Sequence, residues 1–236
     1  MTPLYGRDLA LVHHLGFGFH ADACAPGILE LLEPVRGGLV LELGCGSGGL
    51  TRHLVAAGHR VLATDASPAM VELAAAAGVD DVRVLVLPDD PLPAADAVVS
   101  VGHVLNYLPD EPSIGRALTA IAGSLRPGGV LAVDLCDLRW AEVRRGAAPH
   151  ARVEDGWAVF TSYDVPSPDR FVRSITTFLR QDDGSWRRDD ERHVNVLVDT
   201  STVPDRLAPA GVRATVARSF GEEALPDGLV AVVGHR

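Results

Sequence analysis

The chain has 236 residues, a formal net charge of -10 and a hydrophobic content of 47%. These values suit one globular domain, and the acidic balance disfavours a nucleic-acid partner, since binding to phosphates needs clustered Lys and Arg. Three cysteines without close spacing argue against a disulfide framework or a zinc site, and no apolar run is long enough to span a membrane. We therefore expect a cytoplasmic protein, a monomer or homodimer, with no metal, nucleic-acid or membrane partner.

Residues 1–35 are predicted to form an N-terminal helical lid. Leu9, Val12 and Leu15 recur at the spacing of one helix face. Two glycines interrupt this stripe at Gly16 and Gly18, and a second helix is predicted at 25–32.

Residues 36–137 alternate between short apolar strands and helices. Strands are predicted at 39–43, 60–64, 82–87, 97–101 and 130–135, and helices at 50–57, from Ser67 and at 114–125. Nearly continuous apolar strands that alternate with helices indicate a parallel sheet covered on both faces.

The pattern changes to antiparallel β-structure in residues 151–200. Strands are predicted at 157–165, 170–180 and 186–198, and an Asp183-Gly184 turn joins the last two. Residues 201–236 return to the first pattern, with a helix at 204–210 and strands at 213–218 and 229–233. The predicted fold is therefore α/β and doubly wound, with a mostly parallel seven-stranded sheet and an inserted β-rich segment near its C-terminal end.

The clearest motif is the glycine-rich stretch at 42–49, which follows the first strand and precedes a helix. Gly44 and Gly46 permit a sharp turn and close approach to a ligand, and the helix start favours an anionic group. Asp65 stands at the end of the next strand, where a carboxylate accepts hydrogen bonds from ribose hydroxyls. Gly44, Gly46 and Gly49 also fit the dinucleotide pattern, so an NAD(P)-dependent oxidoreductase remains open at this point.

Four stretches together resemble the class I S-adenosylmethionine-dependent methyltransferases that act on small molecules. They are the acidic residue and glycines at 42–48, the segment 63–70 around Asp65, the fourth strand with its following loop at 96–108, and the Pro-Gly-Gly turn at 125–131. The resemblance implies a Rossmann-like fold and methyl transfer from S-adenosylmethionine to a small-molecule acceptor. A regulatory protein that binds the cofactor without turnover is the main alternative.

The resemblance also implies a cofactor site. Its residues would be Glu42, Gly44, Cys45, Gly46, Asp65, Ala66, Met70, Leu87, Asp89, Gly102 and His103. The family usually places an acidic residue after the third strand for the adenine, and here either Asp89 or the backbone near Leu87 would take that role.

His103 is the candidate general base, because it follows the fourth strand and an imidazole titrates in the useful range. A structural histidine is the alternative for that position. The candidates for contact with the substrate are Tyr5, Phe17, Phe19, His20, Asn106 and Tyr107. No metal is expected, since Asp134 and Asp137 lack the Asp-Asn partners of metal-dependent O-methyltransferases.

Overall fold

The computed structural model describes residues 4–236, so residues 1–3 of the predicted lid lie outside it. Its helices are α1 (Arg7–Gly16), α2 (Phe19–Leu31), α3 (Gly49–Ala56), α4 (Pro68–Ala76), α5 (Glu111–Ser124), α6 (Arg139–Arg144) and α7 (Val203–Leu207). Its strands are β1 (Leu39–Leu43), β2 (Arg60–Asp65), β3 (Val82–Val84), β4 (Ala95–Ser100), β5 (Leu125–Cys136), β6 (His150–Val153), β7 (Trp157–Ser167), β8 (Arg170–Arg180), β9 (Trp186–Val196), β10 (Arg213–Ala217) and β11 (Leu229–His235). A short 3-10 turn at Val104–Tyr107 follows β4.

The main sheet of the described chain has seven strands in the order β10-β11-β5-β4-β1-β2-β3. The five strands from β5 to β3 are parallel, and β11 and β10 are antiparallel to their neighbours. The predicted Rossmann-like, mostly parallel sheet is therefore confirmed. Because β1 lies between β4 and β2, the strand order reverses there and opens a crevice at the carboxyl ends of the strands, where such sheets bind ligands.

Both faces of this sheet are covered, as the apolar strands predict. Val40 of β1 packs in the layer that contains Ile28 of α2 and Leu54 of α3. Its neighbour Leu41 packs in the opposite layer, which contains Leu118 of α5. Successive strand residues point to opposite faces, so β1 is packed from both sides. This packing fixes the position of its carboxyl end.

The inserted segment forms a second, antiparallel sheet in the order β6-β7-β8-β9. Trp157 of β7 and Ile175 of β8 pack against Leu9 and Val12 of α1. The amide of Asn106 also donates a hydrogen bond of 2.6 Å to the carbonyl oxygen of Val196 in β9. The second sheet is thus held against both the N-terminal helix and the turn that follows β4.

Several predicted boundaries, of which three are the most informative, and two missed elements need correction. α2 begins at Phe19 rather than at residue 25, and it contains Pro26. The prediction missed its first half because only the C-terminal half carries apolar periodicity. β3 ends at Val84, since the amides of Asp89 and Asp90 turn back to the carbonyl oxygen of Val86. β5 begins at residue 125, where Leu125 pairs with Ala95 across a bulge. α6 and β6 had not been predicted, and the β6 side chains are all exposed, so no apolar alternation marks that strand.

No helix in residues 4–236 combines the length and apolar character needed to cross a membrane.

Candidate functional site

The loop after β1 depends on its glycines for two different reasons. Gly44 has φ +71°, and a side chain there would overlap Val104 of the turn after β4. Gly46 has φ +55°, but a Cβ at that position would meet no atom within 4 Å. The first glycine therefore permits close packing, whereas the second leaves open space beside bare backbone. The N-cap of α3, Gly48, has no side chain to accept from the first amides of the helix, which stay available to a polar ligand.

Asp65 at the end of β2 is tied to this loop. One carboxylate oxygen accepts from the Gly46 amide at 2.9 Å, and the other accepts from the Ser67 amide at 2.8 Å. Burial raises the pKa of Asp65, although these amide hydrogen bonds oppose the shift. Each carboxylate oxygen can accept two hydrogen bonds, so both retain capacity for a pair of ligand hydroxyls.

Glu42 lies under the loop and is almost fully buried. Its carboxylate accepts a hydrogen bond of 2.6 Å from the hydroxyl of Thr51 in α3. Burial is the main cause that raises its pKa from 4.5 to about 7; the Thr51 hydrogen bond opposes the shift, and nearby Asp65 adds to it. Burial likewise raises the pKa of the Cys45 thiol, which is directed at the carbonyl oxygen of Gly46. The Glu42 carboxylate therefore connects the end of β1 to α3, and its contact with the cofactor stays a prediction.

We expect the exchange Glu42→Gln to raise the free energy of unfolding at pH 8 by on the order of 1–3 kcal/mol and to change it little at pH 4. Between pH 4.5 and about 7 the folded protein holds a proton on Glu42 that the unfolded chain has released, so stability falls as the pH rises through this window. Urea unfolding of the cofactor-free protein at both pH values measures the effect, with exposed Glu33→Gln as control. An equal change at the two pH values would contradict the assignment.

The loop after β4 is anchored by a buried carboxylate. Asp134 of β5 accepts from the Gly102 amide at 2.9 Å and from the His103 amide at 2.6 Å. His20 of α2 places its Nε2 3.1 Å from the same carboxylate. Burial is the largest single influence and lowers the pKa of His20, but the hydrogen bonds to Asp134 and Cys24 and the negative charge of Asp134 together outweigh it and raise the pKa to about 10. The resulting ion pair holds His103 at φ +49°, a left-handed conformation that a residue other than glycine rarely adopts.

The ring of His103 lies in an aromatic environment. It stacks on Tyr107 at a centroid distance of 5.4 Å and lies 5.8 Å from the ring of Trp140. Burial, and next the positive charge of Arg173, lower its pKa to about 3. The imidazole is therefore neutral at physiological pH, and its buried Nδ1 has no hydrogen-bond partner in residues 4–236.

A group that we call the aromatic–arginine cluster lies beside His103. It consists of Tyr5, Tyr107, Arg173 of β8 and His193 of β9. Arg173 donates a hydrogen bond to the Tyr107 hydroxyl, and the Tyr5 and Tyr107 hydroxyls are 3.2 Å apart. Sequence reasoning had named the two tyrosines but missed Arg173 and His193. The only signal for them was their position on the same face of the predicted hairpin.

The other predicted residues are distributed as follows. Met70 is buried and Ala66 is exposed at the start of α4; Leu87 is partly buried beside exposed Asp89. Phe17 packs near Trp157, whereas Phe19 is 68% exposed. Asn106 is fully buried, and its side-chain amide forms hydrogen bonds with the backbone of Cys136 and Val196.

The residues around the loop fit an adenosyl amino acid. The open backbone at Gly46 and the uncapped start of α3 offer donors for its amino-acid part, and Asp65 offers acceptors for its ribose. Gly102, directly before His103, also has open space where a side chain would lie. Two open surface depressions lie elsewhere. One of 570 Å³ lies between the C-terminal end of α2 and Phe220, and one of 760 Å³ lies between α5 and Arg206.

Comparisons with known proteins agree with this geometry. The family model described as "Methyltransferase domain" matches residues 40–129. A putative methyltransferase of Geobacillus sp. is 25% identical over 193 residues, which cover 78% of each chain. A trans-aconitate 2-methyltransferase of Mycobacterium tuberculosis is 32% identical over 124 residues, so the match covers 52% of this chain and 46% of that protein.

Solved structures resemble the chain over nearly its whole length. An S-adenosylmethionine-dependent methyltransferase from Clostridium acetobutylicum has a TM-score of 0.80 at 16% identity, with 96% of each chain covered. The sugar N-methyltransferase KedS8 from Streptoalloteichus sp. has a TM-score of 0.77 at 23% identity and covers 100% of this chain and 97% of its own. At these identities the structures show the shared fold alone.

The matched domain contains the glycine loop and Asp65, and the surrounding fold is the one that its relatives share. The match to this domain favours S-adenosylmethionine over a nicotinamide as the cofactor of the glycine loop. Residues 40–129 therefore match the methyltransferase-domain family, and the chain as a whole has the Rossmann-like fold of S-adenosylmethionine-dependent methyltransferases.

Proposed function

We propose that the protein transfers a methyl group to a small-molecule acceptor that binds between the end of β4 and the second sheet. The observation that carries this proposal is a group of three buried polar atoms without partners in residues 4–236, namely Nδ1 of His103, Nδ1 of His193 and Nε of Arg173, whose side chains all lie around the ring of Tyr107. Native proteins leave few such atoms unpaired, so their convergence favours a ligand site. The acceptors named for two relatives, trans-aconitate and a sugar, are also small molecules.

The roles of the chain in this reaction follow from its geometry. S-adenosylmethionine supplies an electrophilic methyl group on a cationic sulfur. The Gly46 backbone and Asp65 would hold it, while Tyr5 and the second sheet cover the acceptor and exclude water. His103 is neutral and would accept a proton from the attacking group at Nδ1.

The experiment uses the full chain, S-adenosylmethionine with a labelled methyl group, and separate pools of small metabolites, tRNA and denatured protein. We expect label in the small-molecule pool together with release of S-adenosylhomocysteine. Label confined to tRNA or protein would refute the acceptor class. Tight cofactor binding without turnover on any pool would favour the non-catalytic alternative.

For His103→Ala we expect turnover to fall by about 100-fold or more, while the Kd for S-adenosylhomocysteine changes little. The low pKa of His103 also means that its protonation should not reduce activity as the pH falls through 6.5. Initial rates and calorimetry on the same preparation separate the two effects. An equal loss in turnover and cofactor affinity would instead assign His103 to cofactor packing.

A further inference from the structure

Arg173 reaches the site because of the register of the second sheet. It pairs directly with Tyr163 of β7 and with His193 of β9. Directly paired residues in an antiparallel sheet project from the same face. The contacts of Arg173 and His193 with Tyr5 and Tyr107 show that this face is turned toward the turn after β4. The guanidinium therefore projects from the second sheet toward the candidate acceptor space.

The charge of Arg173 is not balanced by a neighbouring carboxylate. Within residues 4–236 it forms no salt bridge, and its polar contacts are the hydroxyl of Tyr107 and, at 3.5 Å, that of Tyr5. Its Nε is buried and has no partner in the part of the chain that the structure describes. Since a guanidinium stays charged at all ordinary pH values, phenol contacts leave a positive charge largely uncompensated.

Two acidic groups of the site, Glu191 and Asp134, are already engaged. Glu191 accepts from the amides of Tyr5 and Gly6, each at 2.8 Å, and lies 2.8 Å from Nε2 of His193. Asp134 is bound to His20 and to the loop after β4. The positive charge of Arg173 also affects two histidines. After burial, it is the second cause that lowers the pKa of His13 to about 4 and that of His103 to about 3. The site thus holds a cation without a counter-ion.

We propose that the acceptor carries an oxyanion, a carboxylate or phosphate group, and that Arg173 binds it and so determines substrate class. This inference rests on the proposed function and names the chemistry of its substrate. The planar guanidinium matches either anion, because its parallel N–H groups can donate to two oxygens at once. The hydroxyls of Tyr5 and Tyr107 lie beside Arg173 and can donate to the same group.

Anion binding has a consequence for the candidate base. An oxyanion at Arg173 would offset the charge that, after burial, is the second cause of the low pKa of His103, so the imidazole would be more basic when the acceptor is present. An acceptor without an anionic group would leave His103 a poor base. Substrate choice and proton transfer would then depend on the same arginine.

The test uses the full chain with saturating S-adenosylhomocysteine and the probes acetate, inorganic phosphate and neutral acetamide. NMR follows the Nε–H signal of Arg173 during each titration. We expect at least one anion to saturate with a Kd of about 1–50 mM, and acetamide to give no saturation. The tighter of the two anions assigns the group as carboxylate or phosphate. Failure of both anions to saturate, or equal binding of acetamide, would overturn the inference.

Two variants identify the residue responsible. Arg173→Met should weaken anion binding by at least about thirty-fold, whereas Arg180→Met, an exposed arginine on the same strand, should leave it unchanged. For these variants, binding is read from the His103 ring signals. Arg173→Lys should bind the anion with intermediate affinity, and it decides the matter if the methionine variant does not fold.

Thermal unfolding distinguishes anion binding from a purely structural role of Arg173. Because the charge of Arg173 lacks a counter-ion, the proposal predicts that Arg173→Met keeps or raises the melting temperature. A lower melting temperature with unchanged anion binding would make Arg173 a structural residue. Binding of S-adenosylhomocysteine is measured separately by calorimetry. If the wild type does not bind it, the proposed function is refuted. If the wild type binds it but neither anion binds, only this inference is refuted.

Discussion

Replacing Asp65 by alanine is expected to weaken binding of S-adenosylhomocysteine by at least about 1.5–3 kcal/mol, which is roughly ten- to a hundred-fold in Kd. The carboxylate has free acceptor capacity on both oxygens and already orders the amides of Gly46 and Ser67. Its removal therefore takes away ligand hydrogen bonds and loosens the loop that presents Gly46. Isothermal titration calorimetry measures the change directly.

The matched control is Asp81→Ala, an exposed carboxylate before β3 that pairs with Arg83. It should bind the ligand as the wild type does. Thermal unfolding of both variants checks that the fold is intact. If Asp65→Ala folds normally and keeps wild-type affinity, Asp65 does not contact the cofactor.

The second large effect is expected for Asp134→Asn. The neutral amide cannot form an ion pair with cationic His20, and in either orientation its NH2 group would face one donor, the amide of Gly102 or that of His103. Breaking a buried ion pair in this way costs about 3–5 kcal/mol of folding free energy. Displacement of the loop after β4 should also reduce turnover by about 100-fold, since errors near 1 Å at a reacting group have effects of this size.

A double-mutant cycle with His20→Gln isolates the ion pair. Because the pKa of His20 is raised from 6.5 to about 10, its stabilising contribution is complete below pH 6.5 and is lost as the pH rises toward 10. Urea unfolding across this range should show the loss in the wild type and not in His20→Gln. Additive effects of the two substitutions would show that the pair is not coupled in the folded protein.

The parts of the site that follow from sequence are those that neighbouring residues create. Gly44, Gly46 and Asp65 lie directly after strands, and parallel strands bring their carboxyl ends to one edge, so their convergence could be predicted before the structure. Their contact with the cofactor stays a prediction. The hairpin of β8 and β9 was equally recognisable from its alternation and its Asp-Gly turn.

The remaining parts depend on long-range packing. Arg173 and Tyr107 are 66 positions apart, and they meet only because the second sheet packs against α1 and the turn after β4. His193 joins them because of the strand register, since a shift of one residue would turn its side chain to the opposite face of the sheet. Asn106 looked suited to substrate contact, yet its amide satisfies backbone groups of β5 and β9. No local pattern distinguishes a polar side chain that binds a ligand from one that connects two strands.

The central claim is that the glycine loop and Asp65 form a site for S-adenosylmethionine. Calorimetric titration of the purified wild-type protein with S-adenosylhomocysteine, and in parallel with NAD+, tests it most directly. We expect one equivalent of S-adenosylhomocysteine to bind with a Kd of about 1–100 μM and NAD+ to give no saturable heat. Absence of S-adenosylhomocysteine binding in a folded sample, or tighter binding of NAD+, would contradict the claim.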